Sequence, residues 1–329
     1  MHVEDGRFFL QVTEKKFDLI TAEPPPPTIA GVVNLYTQEY FQLIHKRLTP
    51  GGITSYWLPG HSLQEDASKS IIKAFCNVFA DCSLWAGAGL DWILLGSRDA
   101  QGSKNLEAFS RQWQDSKVAD ELRAIGVENP QQLGALYMAD AKDLQRATEN
   151  VAALVDAFPY RINLPYSDSR QVPPLYAWLM DTDRAAESFA GSEFIERHWP
   201  PELKSGSLRY FAYQRFINQR YAPGLDRPPP QTTNTLQQLL VDTDLESLPL
   251  WMMGSSYYEQ RLIDNVASDP SYANVTAWGL ARRAIAERRF PDAMQHLESL
   301  RAKTDPANAT GLDRLYRLTA SLIAADPAN

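Results

Sequence analysis

The chain has 329 residues, enough for two domains and a sizeable core. Its 44% hydrophobic and 22% charged residues exclude a disordered chain, a collagen-like fibre and a disulfide scaffold. The formal net charge of −8 opposes a sequence-independent nucleic-acid binder, which needs a cationic face for phosphates.

Met1 to Gly6 lack the basic and apolar regions of a signal peptide. No apolar run approaches the roughly 18–20 residues that cross a bilayer, so a cytoplasmic chain is expected. Asp5-Gly6-Arg7 precedes a helix running through Phe8, Phe9, Leu10 and Val12. Phe17 to Ala22 is a short β-prone run. It must leave the sheet at Glu23, because the prolines Pro24 to Pro27 continue neither strand nor helix. Thr37 to Leu48 carries a helical stripe of Tyr40, Phe41, Leu43, Ile44 and Leu48, with Thr37 as cap and Pro50-Gly51-Gly52 as terminator. Ile53–Leu58 reads as a strand and Leu63–Phe79 as an amphipathic helix. Cys82–Ala86 and Trp92–Leu95 read as a strand pair about the turn at Gly87 and Gly89. Cys76 and Cys82 are expected to be reduced core thiols.

This alternation predicts a mostly parallel sheet with helices on its faces. From about residue 104 the strand signal vanishes, and Leu106–Trp113, Val118–Ile125, Ala141–Ala157 and Leu203–Tyr221 favour helix. Interruptions fall at Phe158–Arg161 and Pro223–Thr233, the second being the best linker. Asp269-Pro270 and Asp305-Pro306 echo each other near the tetratricopeptide period, with Leu280, Ala281, Ala284, Phe290, Ala293, Leu297 and Leu300 between them. The tail reads either as such a partner-docking appendage or as an ordinary helical hairpin. The expected domains are 1–102, 103–222 and 223–329.

Ligands of an open parallel sheet collect beyond the carboxyl ends of its strands, which singles out Glu23 and Asp5. His61 follows a strand and either borders that site or is a loop histidine. His45, His61, His198 and His296 show no metal-ligand spacing, and no metal is expected.

Asp5-Gly6-Arg7-Phe8-Phe9-Leu10, Phe17-Asp18-Leu19-Ile20, Glu23-Pro24, Leu35-Tyr36-Thr37-x-Glu39-Tyr40-Phe41 and Leu48-x-Pro50-Gly51-Gly52 follow one another at short intervals. This series resembles the second half of a spermidine synthase-like domain, the polyamine aminopropyltransferase family. It is most similar to the bacterial branch in which that domain follows a membrane-embedded part. The resemblance covers about residues 3–100, with an echo at Val155-Asp156-Ala157-Phe158-Pro159. It implies a partial class I methyltransferase-like, Rossmann-like α/β sheet followed by a mostly helical domain. It further implies decarboxylated S-adenosylmethionine or S-adenosylmethionine as donor and a small-molecule amine as acceptor. Asp5 and Gly6 would then contact the adenine, Glu23 would anchor or deprotonate the amine, and Tyr36 would wall the acceptor site.

The chain departs from the family where a Thr-Asp-Ser-Ser-Asp-Pro type segment is usual. It has Thr21-Ala22-Glu23-Pro24, one acid in place of two, and a lone carboxylate is a poorer cage for a protonated diamine. The family's Gly-rich turn and ribose-binding acid would lie upstream of Asp5. The expectation is therefore a C-terminal portion of a longer protein or a truncated gene model. Such a portion would be inactive by itself and tethered to the inner membrane if an N-terminal part exists. The rival expectation is a non-catalytic interaction protein, a degenerate Rossmann remnant carrying a partner-binding helical tail.

Overall fold

Strand β1 (Phe17–Ala22) stops at the residue before Glu23, where the proline tract removes the amide donors a ladder needs. The structure, a computed structural model, describes residues 5–27, 29, 31–87, 90–102, 104–124, 127, 129–157, 173–221, 288–303 and 310–325, with isolated positions 277, 280, 281, 284 and 285. The predicted interruptions at 158–161 and 223–233 lie outside these residues. The chain divides into two compact units, Met1–Leu106 with Gly134–Asp226, and Glu107–Leu133 with Arg227–Asn329.

In the first unit, helix α1 (Gly6–Val12) leads to β1. Helix α2 (Gln38–Arg47) follows, then β2 (Leu48–Pro59), α3 (Glu65–Cys76), β3 (Ser83–Ala86) and β4 (Asp91–Ser97). The sheet order is β1-β2-β4-β3-β5, where β5 is Tyr137–Asp140. The one parallel pair of neighbours in this sheet is β1–β2; β2–β4, β4–β3 and β3–β5 are antiparallel, so β1, β2 and β3 run one way and β4 and β5 the other. The expected mostly parallel sheet is therefore corrected to a mixed α/β sheet. The physical reason is the short β3–β4 connection, which returns the chain as a hairpin where a parallel pair needs a long crossover. A strand was also missed beyond residue 104. Tyr137, Met138 and Ala139 of β5 are all buried, so the segment lacks the alternation that marks a half-exposed strand.

One face of the sheet carries the core. Tyr56 and Leu58 of β2 and Trp92 and Leu94 of β4 point at α2 and α3, where Phe41, Ile44, Ile71, Ile72 and Phe75 are fully buried. Burying that many large apolar side chains, at roughly 1.5–3 kcal/mol each, fixes the register of both strands. Phe79 lies against Gly96, where an added Cβ would come within 2.5 Å of the ring, so β4 needs a glycine there. Along the opposite face, Leu19 of β1 is 61% exposed and Ile53 of β2 is 46% exposed.

Cys76 and Cys82 form a disulfide, which corrects the expectation of free thiols. The turn after α3 brings their Cα atoms to 5.3 Å, within bridging range. The helix predicted over 141–157 ends early. Helices α4 (Leu106–Ser110), α5 (Ser116–Ala124) and α6 (Gln131–Gly134) precede β5, and α7 spans only Ala141–Ala147. Thr148 turns its hydroxyl back onto the Leu144 carbonyl at 2.8 Å and closes α7. Helices α8 (Pro174–Met180), α9 (Thr182–Gly191), α10 (Glu193–His198) and α11 (Pro201–Tyr221) complete the first unit.

In the second unit, helices α12 (Phe290–Arg301) and α13 (Thr310–Ala325) pack together through Leu297, Leu300 and Leu312, with Ala281 in the same cluster. Arg301 pairs with Asp313 at 3.0 Å and lies 4.3 Å from the Tyr316 ring centre. Among the described residues no helix is long and apolar enough to cross a membrane.

Candidate active site

The carboxyl ends of β1 and β2 adjoin, since the last pair of their ladder is Ala22 with Tyr56. Glu23 is the first residue beyond β1, exposed, and Pro24 behind it is buried. Tyr36 holds this loop from beneath. It is fully buried, and its hydroxyl lies 3.2 Å from the carbonyl oxygens of both Pro24 and Pro25, to which it donates. Burial first, and then the charge of Glu23, push the Tyr36 phenol far above its ordinary range. That phenol therefore stays a neutral donor at every physiological pH, and the loop that presents Glu23 rests on a fixed aromatic post.

Asp5 sits before α1, and its Oδ1 accepts from the Phe8 amide at 2.8 Å, a helix N-cap. Its Oδ2 has no partner among the described residues. Gly6 is exposed, and nothing stands within 4 Å of where a Cβ would be, so the packing does not demand glycine there. Burial, followed by the charge of Asp5, lifts the Tyr40 phenol to about 12. The fields of Asp5 and Glu23 thus both reach one aromatic cluster, in which Tyr36 and Tyr40 meet Tyr56 edge to face.

Two groups of contacts escaped the sequence reading, which named Arg7, Asp156 and His61 without their partners. The first is a clasp behind the cluster. Arg7 reaches Asp156 with two guanidinium nitrogens, one at 2.9 Å from Oδ1. Thr37 donates to the same Oδ1 at 2.7 Å, and the Asp156 amide donates to Glu39 at 3.0 Å. Thr37 is the N-cap residue of α2, as expected, but its hydroxyl makes no cap hydrogen bond and goes to Asp156 and the Asn34 carbonyl. The Arg7 hydrogen bond holds the Asp156 carboxyl below its usual range. The echo at Val155-Asp156 in the sequence is therefore a contact with Arg7 of the first motif.

The second group lies further along the same end of the sheet. Asp91 opens β4 opposite Pro59 of β2. The Trp57 indole donates to Asp91 Oδ1 at 3.1 Å, and His61 Nδ1 stands 2.9 Å from the same oxygen. The His61 and Asp91 side chains remain 48% and 36% exposed. Gly60 makes the turn possible, because an added Cβ would lie 2.7 Å from the Leu90 carbonyl oxygen.

Residues 1–86 match the family model of the spermine/spermidine synthase domain. That match runs from α1 to the end of β3 and takes in Asp5, Gly6, Glu23, Tyr36, Trp57 and His61, stopping short of Asp91. No curated protein matches the chain. The matched segment and the mixed sheet agree on a Rossmann-like α/β domain followed by a helical region.

The largest cleft of the first unit among those described, about 550 Å³, opens at the opposite end of the sheet. Two of its acids, Asp140 and Asp143, are already paired. Asp140 caps α7 and accepts from Ser192 at 2.6 Å, while Asp143 accepts from Ser188 and Arg146, each at 2.6 Å. Arg184 lies 4.1 Å from the Trp178 ring centre and donates to the Met138 and Trp178 carbonyls. Burial lowers its guanidinium pKa, with Asp143 3.7 Å away as partial compensation. Among the described residues no group of three His, Cys, Asp or Glu side chains is placed to hold a metal ion.

Proposed function

We propose that the first unit carries the acceptor side of an aminopropyltransferase site, the reaction being transfer of an aminopropyl group from decarboxylated S-adenosylmethionine to a small amine. The observation that carries this reading is Glu23, exposed at the carboxyl end of β1 on a loop that Tyr36 anchors. A protonated amine cannot attack carbon. The Glu23 carboxylate binds the ammonium, compensates its desolvation and takes its proton. The freed lone pair then forms the new C–N bond as the C–S bond of the sulfonium breaks and the thioether leaves with the electron pair. Asp5 uses one oxygen to cap α1 and offers the other to the adenine amino group, with Gly6 alongside. Tyr36 walls the acceptor side from below. Methyl transfer from S-adenosylmethionine uses the same groups and is the less favoured chemistry, because a carboxylate for the ammonium suits a cationic acceptor.

A second reading gives the second unit, with its packed helix pair α12 and α13, a protein-partner role. It does not use Glu23, so one experiment separates the two. Calorimetry of the full chain with butylamine and with decarboxylated S-adenosylmethionine, on wild type and Glu23→Gln, is the test. The expected result is amine affinity at least tenfold weaker in the variant, with donor affinity within twofold of wild type. Equal amine affinity in the two proteins contradicts the reading.

A further inference from the structure

The cleft beside β5 keeps free charges of both signs once its internal pairs are set aside. Helices α7 and α9 wall it, joined by Asp143 with Ser188 and by Asp140 with Ser192, each at 2.6 Å. Those contacts occupy two of the carboxylates described along it. A third, Glu187, is exposed on α9, and Lys142 is exposed on α7. Neither the Glu187 nor the Lys142 side chain has a partner among the described residues. Arg184, one turn before Glu187, also lines the cleft. Its buried Nη1 makes no hydrogen bond among the described residues, the nearer Asp143 oxygen being 3.7 Å away. A buried donor without an acceptor is a cost that a ligand carboxylate removes.

The spacing of these groups selects the ligand. Positions three apart on a helix set their Cβ atoms about 5–6 Å from each other, so Arg184 and Glu187 offer a cation and an anion side by side. An α-amino acid carries its own two charges equally close together. A simple amine is opposed here by Lys142, Arg146 and Arg184, and a dianion is opposed by Glu187. Trp178 extends the site into apolar surroundings. It lies under the Arg184 guanidinium, and together with Arg146 it also borders a neighbouring hollow of about 280 Å³ with Ala147, Pro174 and Leu175. Glu65 and Lys69 on the rim of that hollow pair with each other at 2.5 Å, so its remaining walls are mainly apolar.

We propose that this cleft binds a free α-amino acid with an apolar side chain. The carboxylate faces Arg184 and Lys142, the ammonium sits at Glu187, and the side chain lies against Trp178 and Leu175. The charged groups of the site all fall after residue 86, where the family match ends, and the assignment does not depend on the reading of Glu23.

Calorimetry of the full chain with L-leucine, 4-methylpentanoate and isopentylamine tests it, because each analogue lacks one of leucine's two charges. Circular dichroism confirms folding of every variant. Wild type is expected to bind leucine at least about tenfold more tightly than either analogue, the worth of one charge-assisted contact. Glycine, without the side chain, is expected to bind at least about tenfold more weakly than leucine. Glu187→Gln erases the advantage of leucine over 4-methylpentanoate and leaves the latter within about threefold, whereas Lys142→Gln weakens both. Glu23→Gln leaves leucine affinity unchanged. Absence of leucine binding, 4-methylpentanoate bound as tightly as leucine, or a leucine preference intact in folded Glu187→Gln overturns the proposal. Loss of leucine binding in folded Glu23→Gln overturns it as well, by moving the amino acid to the other end of the sheet.

Discussion

The two ends of the sheet hold similar numbers of charged side chains and put them to opposite uses. At the β5 end, Asp140 and Asp143 are held in caps and hydroxyl contacts and Arg184 donates to two carbonyls, although its buried Nη1 has no hydrogen-bond partner among the described residues. At the carboxyl end of β1 and β2, Glu23 is exposed and both Asp5 and Asp91 keep one oxygen unengaged by the described residues. For a simple amine, cavity volume therefore points one way and chemical availability the other. Availability is the better guide, because a carboxylate already paired, or flanked by cations, has little left to offer an ammonium.

That contrast predicts that substitutions at the β5 end cost stability and leave amine binding alone, whereas those at the carboxyl end do the reverse. The largest effect is expected for Arg184→Met. It removes the buried donor to the Met138 and Trp178 carbonyls and one of the two guanidinium neighbours of Asp143. Urea unfolding followed by tryptophan fluorescence should show a loss of about 3 kcal/mol, with putrescine affinity unchanged. Gly60→Ala comes next, because its new Cβ would meet the Leu90 carbonyl. A loss of about 2 kcal/mol is expected from overpacking.

A smaller effect is expected at the Arg7–Asp156 clasp. Asp156→Asn should cost about 1 kcal/mol near neutral pH, since the carboxylate is partly exposed and solvent screens it. The sign of its pH dependence follows from the lowered carboxyl pKa. The contribution is complete above the unfolded carboxylate value, about 3.9, and is lost as pH falls from there through the folded value. The stability difference between wild type and Asp156→Asn should be flat above about pH 5 and shrink below about pH 4, as unfolding curves across that range would show. The smallest effect belongs to Leu19→Lys, on an exposed edge-strand position. A change within about 0.5 kcal/mol is expected in the same assay. A large loss there would mean that this face of β1 is packed in solution.

Strands, turns and the first helices were legible wherever one residue type decides the backbone. The proline tract ended β1 at Glu23, and the Tyr40, Phe41, Ile44 stripe marked α2. The site was legible only along the chain. Glu23 and Asp5 stand out because each follows or precedes an element with a distinctive ending. Asp91 and Trp57 lie 34 residues apart and meet only through the antiparallel register that sets Pro59 against Asp91. Arg7 and Asp156 are 149 positions apart and meet only in the folded chain. Strand β5 stayed hidden because its four residues carry neither a helical nor an alternating pattern. The disulfide stayed hidden because two cysteines in a long chain carry no framework signal, and only the turn after α3 brings them together.

The most direct measurement is the butylamine affinity of Glu23→Gln in the full chain. If Glu23 receives the ammonium of the acceptor, the variant binds at least about tenfold more weakly than wild type, the loss of one charge-assisted contact. An affinity equal to wild type in the folded variant would show that Glu23 does not receive the amine, and the assignment of this end of the sheet would be wrong.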